Sequence, residues 1–134
     1  MNTKIINPTK FDIKLSRMIY ISITIFVLVF SLIYEYFSHN VFSLYMIGAF
    51  VIPLCGMIIT EIFYRLGRKN KGTPRIIFQM IAGGVAWLTL GSIFEGVLEI
   101  YGTTNQKIVI FWILGFLQVA EAIVVYFLCC SDRR

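Results

Sequence analysis

The stretch Gly83-Gly84-Val85-Ala86-Trp87-Leu88-Thr89-Leu90-Gly91-Ser92-Ile93-Phe94-Glu95-Gly96-Val97-Leu98-Glu99 decides how this sequence is read. It is apolar enough to enter a bilayer, yet it carries two carboxylates and four glycines. A helix needs about 20 apolar residues to cross a hydrocarbon core ~30 Å thick. This stretch lies in such a run, residues 76–101, and three more runs flank it at about 18–37, 41–64 and 108–130. The pattern predicts an all-α integral membrane protein, with four antiparallel transmembrane helices in one small bundle.

The bulk composition agrees. Of 134 residues, 58% are hydrophobic and 14% are charged, with mean hydropathy +0.81. Soluble domains carry about 25% charged residues. A water-soluble core of this size could not hide so much apolar side chain. The net charge of +5 would suggest nucleic acid in a soluble protein. Here the basic residues flank the apolar runs, so they read as topology signals and no nucleic-acid partner is expected.

The runs at 18–37 and 41–64 are joined by about three residues, and those at 76–101 and 108–130 by the turn-like 102–106. Links this short predict two helical hairpins. A basic start before an apolar run also describes a signal peptide. The first run has full spanning length, however, and bulky Tyr34, Tyr36 and Phe37 stand where a cleavage site needs small residues. It reads as a retained span.

The basic residues set the orientation. The N-terminal tail, residues 1–16 with Arg17, the loop 65–75 and the C-terminus hold eleven of the twelve; only Lys107 stands on the other side. The positive-inside rule then places both termini and the 65–75 loop in the cytoplasm, in a multi-pass protein of the cell membrane.

Within the second span, Pro53 removes a hydrogen bond and predicts a kink. Glu61 and Arg65 are spaced i,i+4 and predict an ion pair. Cys55, Cys129 and Cys130 offer no disulfide framework.

Acidic residues inside membrane spans are costly and tend to be functional. Glu121 falls near the middle of the fourth span with no Lys or Arg in that helix, and Gln118 lies one turn earlier. Such a carboxylate must face the bundle interior, a partner or water. Glu95 and Glu99 are spaced i,i+4, and Ser92 lies one turn before Glu95. Gly84, Leu88, Gly91 or Ser92, Glu95 and Glu99 follow one helical face. Small residues such as Gly84 and Gly91 permit close helix packing. That face is expected to pack inward, bringing Glu95 to a depth near Glu121. Glu99 would then lie toward Glu35 and His39. A carboxylate cluster of this kind suits a proton, a small cation or an amine.

A metal site is not expected. Glu35 and His39 have helical spacing and Glu99 offers a third ligand, but there is one histidine and no HExxH or Cys/His pattern. No nucleophile–base motif or phosphate loop is present, so neither an enzyme nor a cofactor is expected.

Size, four spans and membrane carboxylates resemble the small multidrug resistance transporters in architecture. That family has its glutamate in the first span, where this chain has no mid-membrane acid, so no residue role carries over. Two readings follow. The polar groups are helix–helix glue in an accessory or regulatory subunit of a membrane complex, or Glu95, Glu99 and Glu121 bind and couple ions in a small transporter. Beyond the bilayer itself, a homodimer or another membrane subunit is the expected partner, since one bundle this small barely encloses a pathway.

Overall fold

The computed structural model describes residues 10–38, 41–69 and 74–131. Residues 1–9, His39 and Asn40, 70–73 of the basic loop and 132–134 lie outside the described residues, as do the side chains of Lys10, Phe11, Arg68, Lys69, Cys130 and Ser131. The described chain is all-helical. Helix α1 is Lys10–Phe37, α2 Leu44–Gly48, α3 Val51–Lys69, α4 Arg75–Ile100 and α5 Val109–Ser131; a 3-10 turn, Gln106–Ile108, leads into α5. Four segments are long and apolar enough to cross a membrane: Asp12–Phe37, Leu44–Gly67, Arg75–Ile100 and Gln106–Cys129.

The second of these is not one helix. It breaks at Ala49 and Phe50, between α2 and α3. The expected kink at Pro53 is therefore displaced one turn toward the N-terminus. The cause is the geometry of proline: it has no N–H for the carbonyl four residues earlier, and its ring crowds that same carbonyl. Four residues before Pro53 is Ala49. The backbone tightens there, with Ala49 N–H bonding to Met46 C=O at 3.3 Å in an i,i−3 arrangement.

Helix α4 is the most buried of the four long apolar segments and α5 the least. Helix α4 touches α2, α3 and α5, while α1 packs on α3 and α2. Tyr20, Ile77, Ile81, Val85 and Ala122 form the core cluster. At its centre α3 comes close enough that a Cβ on Gly56 would lie 2.6 Å from a Val85 methyl and 3.2 Å from the Tyr20 ring. Buried hydroxyls in these helices find local acceptors. Thr24, Thr60 and Thr89 each donate to the carbonyl four residues back, at 2.7–2.8 Å. The Tyr20 hydroxyl lies 3.2 Å from Thr60 Oγ1.

The pairing of α4 with α5 runs along small residues. A Cβ on Gly84 would lie 2.9 Å from Gly115 O, and one on Gly115 3.1 Å from Gly84 O. Gly83 meets Gln118, and Gly91 meets Phe111 and Trp112. Position rises on α4 as it falls on α5. Between them, Gly102 takes φ +68°, a conformation that favours glycine. Gly102 N–H bonds to Glu99 C=O at 3.1 Å and Thr103 N–H to Leu98 C=O at 3.0 Å, the Schellman pattern. Asn105 then caps the next turn, accepting from Lys107 N–H at 3.0 Å.

Ion pairs collect at one end. Glu61 of α3 receives Arg17 of α1 at 2.8 Å and Arg65 at 3.2 Å, and Arg75 of α4 reaches Asp12 of α1 at 3.4 Å. The expected Glu61–Arg65 pair is present, and Arg17 is an addition that spacing along one helix could not reveal. At the opposite end Tyr34 and Tyr101 line one small cavity, with Phe37 and Ile100.

Candidate functional site: a polar seam on the broken helix

At the break Ala49 N–H turns to Met46 C=O, so the Tyr45 carbonyl loses its helical donor. A buried carbonyl needs a partner from the protein. Two serines donate to this stretch. Ser31 Oγ of α1 donates to Met46 C=O at 2.9 Å, and Ser92 Oγ of α4 donates to Tyr45 C=O at 2.7 Å. Both serines are buried.

Close approach makes this possible. Gly96 sits one turn beyond Ser92 on α4. A Cβ there would lie 2.8 Å from Met46 N and 3.0 Å from Met46 Cα. Glycine thus lets the α4 backbone rest directly on α2, which brings Ser92 within reach of Tyr45.

Ser43 completes the seam. It is the N-cap of α2, and its hydroxyl accepts from Met46 N–H at 3.3 Å. The same hydroxyl donates to Glu99 Oε2 at 2.6 Å. Glu99 therefore fixes the start of the short helix through its cap.

The predicted single face of α4 is in fact two. Gly84, Leu88 and Gly91 pack on α5, with Leu88 against Gly115. Ser92, Gly96 and Glu99 pack on the broken span. Adjacent positions such as Gly91 and Ser92 are ~100° apart around a helix and serve different neighbours.

The three carboxylates do not meet. Gln118 lies over Gly83 and Val119 over Gly84, so Glu121 is level with the first half of α4, near Ile81. Glu95 is fourteen residues farther along α4 than Ile81, or roughly 20 Å at 1.5 Å per residue. The expectation that Glu95 and Glu121 lie at neighbouring depths is thus corrected by the α4–α5 register. Among the described residues, no three His, Cys, Asp or Glu side chains gather closely enough to hold a metal ion. Glu95 is half-buried on α4, and Glu121 is exposed on α5, with Ala122 beside it turned inward. The bundle interior is therefore not where Glu121 goes.

Glu35, near the end of α1, behaves differently. Its Oε1 is buried and has no hydrogen-bond partner among the described residues. A groove between α1 and α4, lined by Tyr20, Phe26, Val85 and Leu90 among others, contains no charged side chain.

Ser31 and Ser43 were not singled out by the sequence. The available signal was Pro53 itself, because a broken span requires donors nearby. Comparison with known protein families, with curated proteins and with solved structures finds no match for this chain.

Proposed function

We propose that this chain is a small multi-pass membrane protein that acts as an accessory or regulatory subunit of a membrane complex. In this reading the four apolar helices insert as two antiparallel hairpins in one bundle. The end that gathers Arg17, Arg65 and Arg75 faces the cytoplasm, as the positive-inside rule requires.

One observation carries the choice over a transporter. Three polar side chains inside the apolar segments support the broken helix: Ser31 and Ser92 donate to the Met46 and Tyr45 carbonyls, and Glu99 holds the cap Ser43. Glu95 and Glu121, the other acids expected of a pathway, stand about four helical turns apart along α4.

The transporter reading keeps one observation of its own, the buried Oε1 of Glu35, which has no hydrogen-bond partner among the described residues. A proton or small cation would bind there. Reconstitution in vesicles separates the two readings. The subunit reading expects no proton-coupled cation or amine flux from wild type, and a membrane partner that co-purifies in mild detergent. Flux that Glu35→Gln or Glu99→Gln abolishes, with the variant still folded, would establish the transporter instead.

A further inference from the structure

Helices α1 and α4 leave a cleft between them. Each packs on α2 and α3, but the two do not close on each other along their middle. Facing rows line the gap: Tyr20, Ile23 and Val27 on α1, and Ala82, Ala86 and Ile93 on α4. Ala82 and Ala86 are too small to fill it. The cleft holds about 370 Å³ and no charged side chain.

One end of the cleft is polar, which sets it apart from the bare apolar faces of the helices. A second cavity of about 200 Å³ shares Ser16, Ile19 and Ala82 with it and adds Asp12, Arg75 and Gln79. Arg75 Nη2 lies 3.4 Å from Asp12 Oδ1, and the Arg75 side chain is 54% exposed. A guanidinium has five N–H donors, so this single contact leaves Arg75 able to bind an anion as well. Asp12 and Arg75 begin two of the four apolar segments. In a bilayer they stand at the level of the headgroups, and the cleft runs inward from them.

Length and girth decide what fits. Ser16 and Val27 are eleven residues apart, or ~16 Å at 1.5 Å per residue. That is about half of a hydrocarbon core ~30 Å thick, the depth of one leaflet. Spread over that length, the volume leaves a mean section of roughly 22 Å². A helix is about 10–12 Å across, needs roughly four times that section, and would not stop halfway. A single hydrocarbon chain is the slender alternative.

We propose that the cleft holds one phospholipid of the ethanolamine type: an acyl chain lies between α1 and α4, the phosphate meets Arg75, and the headgroup ammonium meets Asp12. The proposal rests on the reading of these helices as membrane spans. Charge selects the headgroup. One cation and one anion face the mouth, and they complement a headgroup that carries both. A net-anionic lipid sets a second negative charge against Asp12. A choline headgroup has no N–H to donate to it.

The test is native mass spectrometry of the full chain in detergent, titrated with phosphatidylethanolamine, phosphatidylcholine and phosphatidylglycerol of one chain length. Folded wild type is expected to retain one ethanolamine lipid per chain in preference to the other two. Arg75→Ala should weaken that binding about fivefold, the scale of one basic contact at a lipid surface. Asp12→Asn should remove the preference for ethanolamine over choline. Ala86→Leu fills the cleft and should lose the lipid, whereas Ala120→Leu, exposed on α5, should keep it. Equal helix content and unfolding midpoint without added lipid confirm that the variants are folded. Equal retention of all three lipids, or a lipid that stays on in Ala86→Leu, overturns the proposal. So does folded wild type that retains no lipid, or a partner helix that cross-links into the cleft at Ala86→Cys. A chain that washes from membranes at alkaline pH refutes the reading of the spans, and the proposal falls with it.

Discussion

Gly96 of α4 approaches Met46 of α2 so closely that a Cβ at Gly96 would lie 2.8 Å from the Met46 nitrogen. The nearest atoms include Met46 N and Cα, which cannot turn aside as a flexible side chain does. Gly96→Ala must therefore push the two helices apart. We expect a loss of about 1–3 kcal/mol, the usual range for overpacking, measured as unfolding in mixed micelles. Gly48→Ala is the matching control, since nothing lies within 4 Å of a Cβ there. It should be neutral or slightly stabilising.

Ser31 and Ser92 serve neighbouring carbonyls of one break, Met46 and Tyr45. Each serine-to-alanine change should cost ~1 kcal/mol. The double variant should depart from the sum, because both act on the same short stretch of backbone. Strict additivity in the unfolding free energies would show that the break does not respond as a unit.

Pro53→Ala restores an N–H opposite Ala49 C=O. The amide at position 53 should become protected from hydrogen exchange, and the turn at Ala49 and Phe50 should become helical. Straightening also pulls Tyr45 and Met46 away from their serines, so stability should fall although a hydrogen bond is gained. Pro53 is itself fully buried, and the smaller side chain adds a packing loss. An unprotected amide at 53 would mean that tertiary contacts, not proline, set the break.

The ion pairs at the basic end are partly exposed, with Arg17 at 51% and Glu61 at 26% of full side-chain accessibility. Arg17→Ala should cost less than ~1 kcal/mol, and the cost should shrink at high salt. Arg65→Ala should cost less again, because its bond to Glu61 is longer and joins residues of one helix. Comparing both variants at low and high ionic strength checks the order and its screening.

Orientation has its own test. With Cys55, Cys129 and Cys130 replaced, Thr104→Cys should react with an impermeant maleimide added to intact cells. A cysteine placed at Asn70 should react only after lysis. The reverse pattern would invert the assignment made from the basic residues.

The four long apolar segments were legible because apolar run length is a local property, and lengths of 24–26 residues leave little ambiguity. The break was legible in cause but not in place. Proline acts on a carbonyl one turn away, so the disturbance at Ala49 and Phe50 is read from Pro53 only by counting back along the helix. The carboxylate cluster was not legible. Whether Glu95 and Glu121 meet depends on how α4 slides against α5, and that register is set by Gly83, Gly84 and Gly91 meeting Gln118, Gly115 and Phe111. Nor did the sequence reveal that Glu121 is exposed. Helix α5 is apolar on nearly every side, so no stripe marks which face packs.

The broken second span also bears on how the chain is made. As it leaves the ribosome, α1 precedes it and can offer Ser31 to Met46 at once. Ser92 belongs to α4 and is synthesised more than forty residues after Tyr45. On the proposed reading of the four segments as membrane spans, the Tyr45 carbonyl has no serine and the α2 cap no Glu99 until α4 enters the bilayer. On that reading the second segment leaves the insertion machinery incomplete, and α4 finishes it. A nascent chain stalled after α3 should retain a second segment that samples the lipid–water boundary, and further elongation should draw it in.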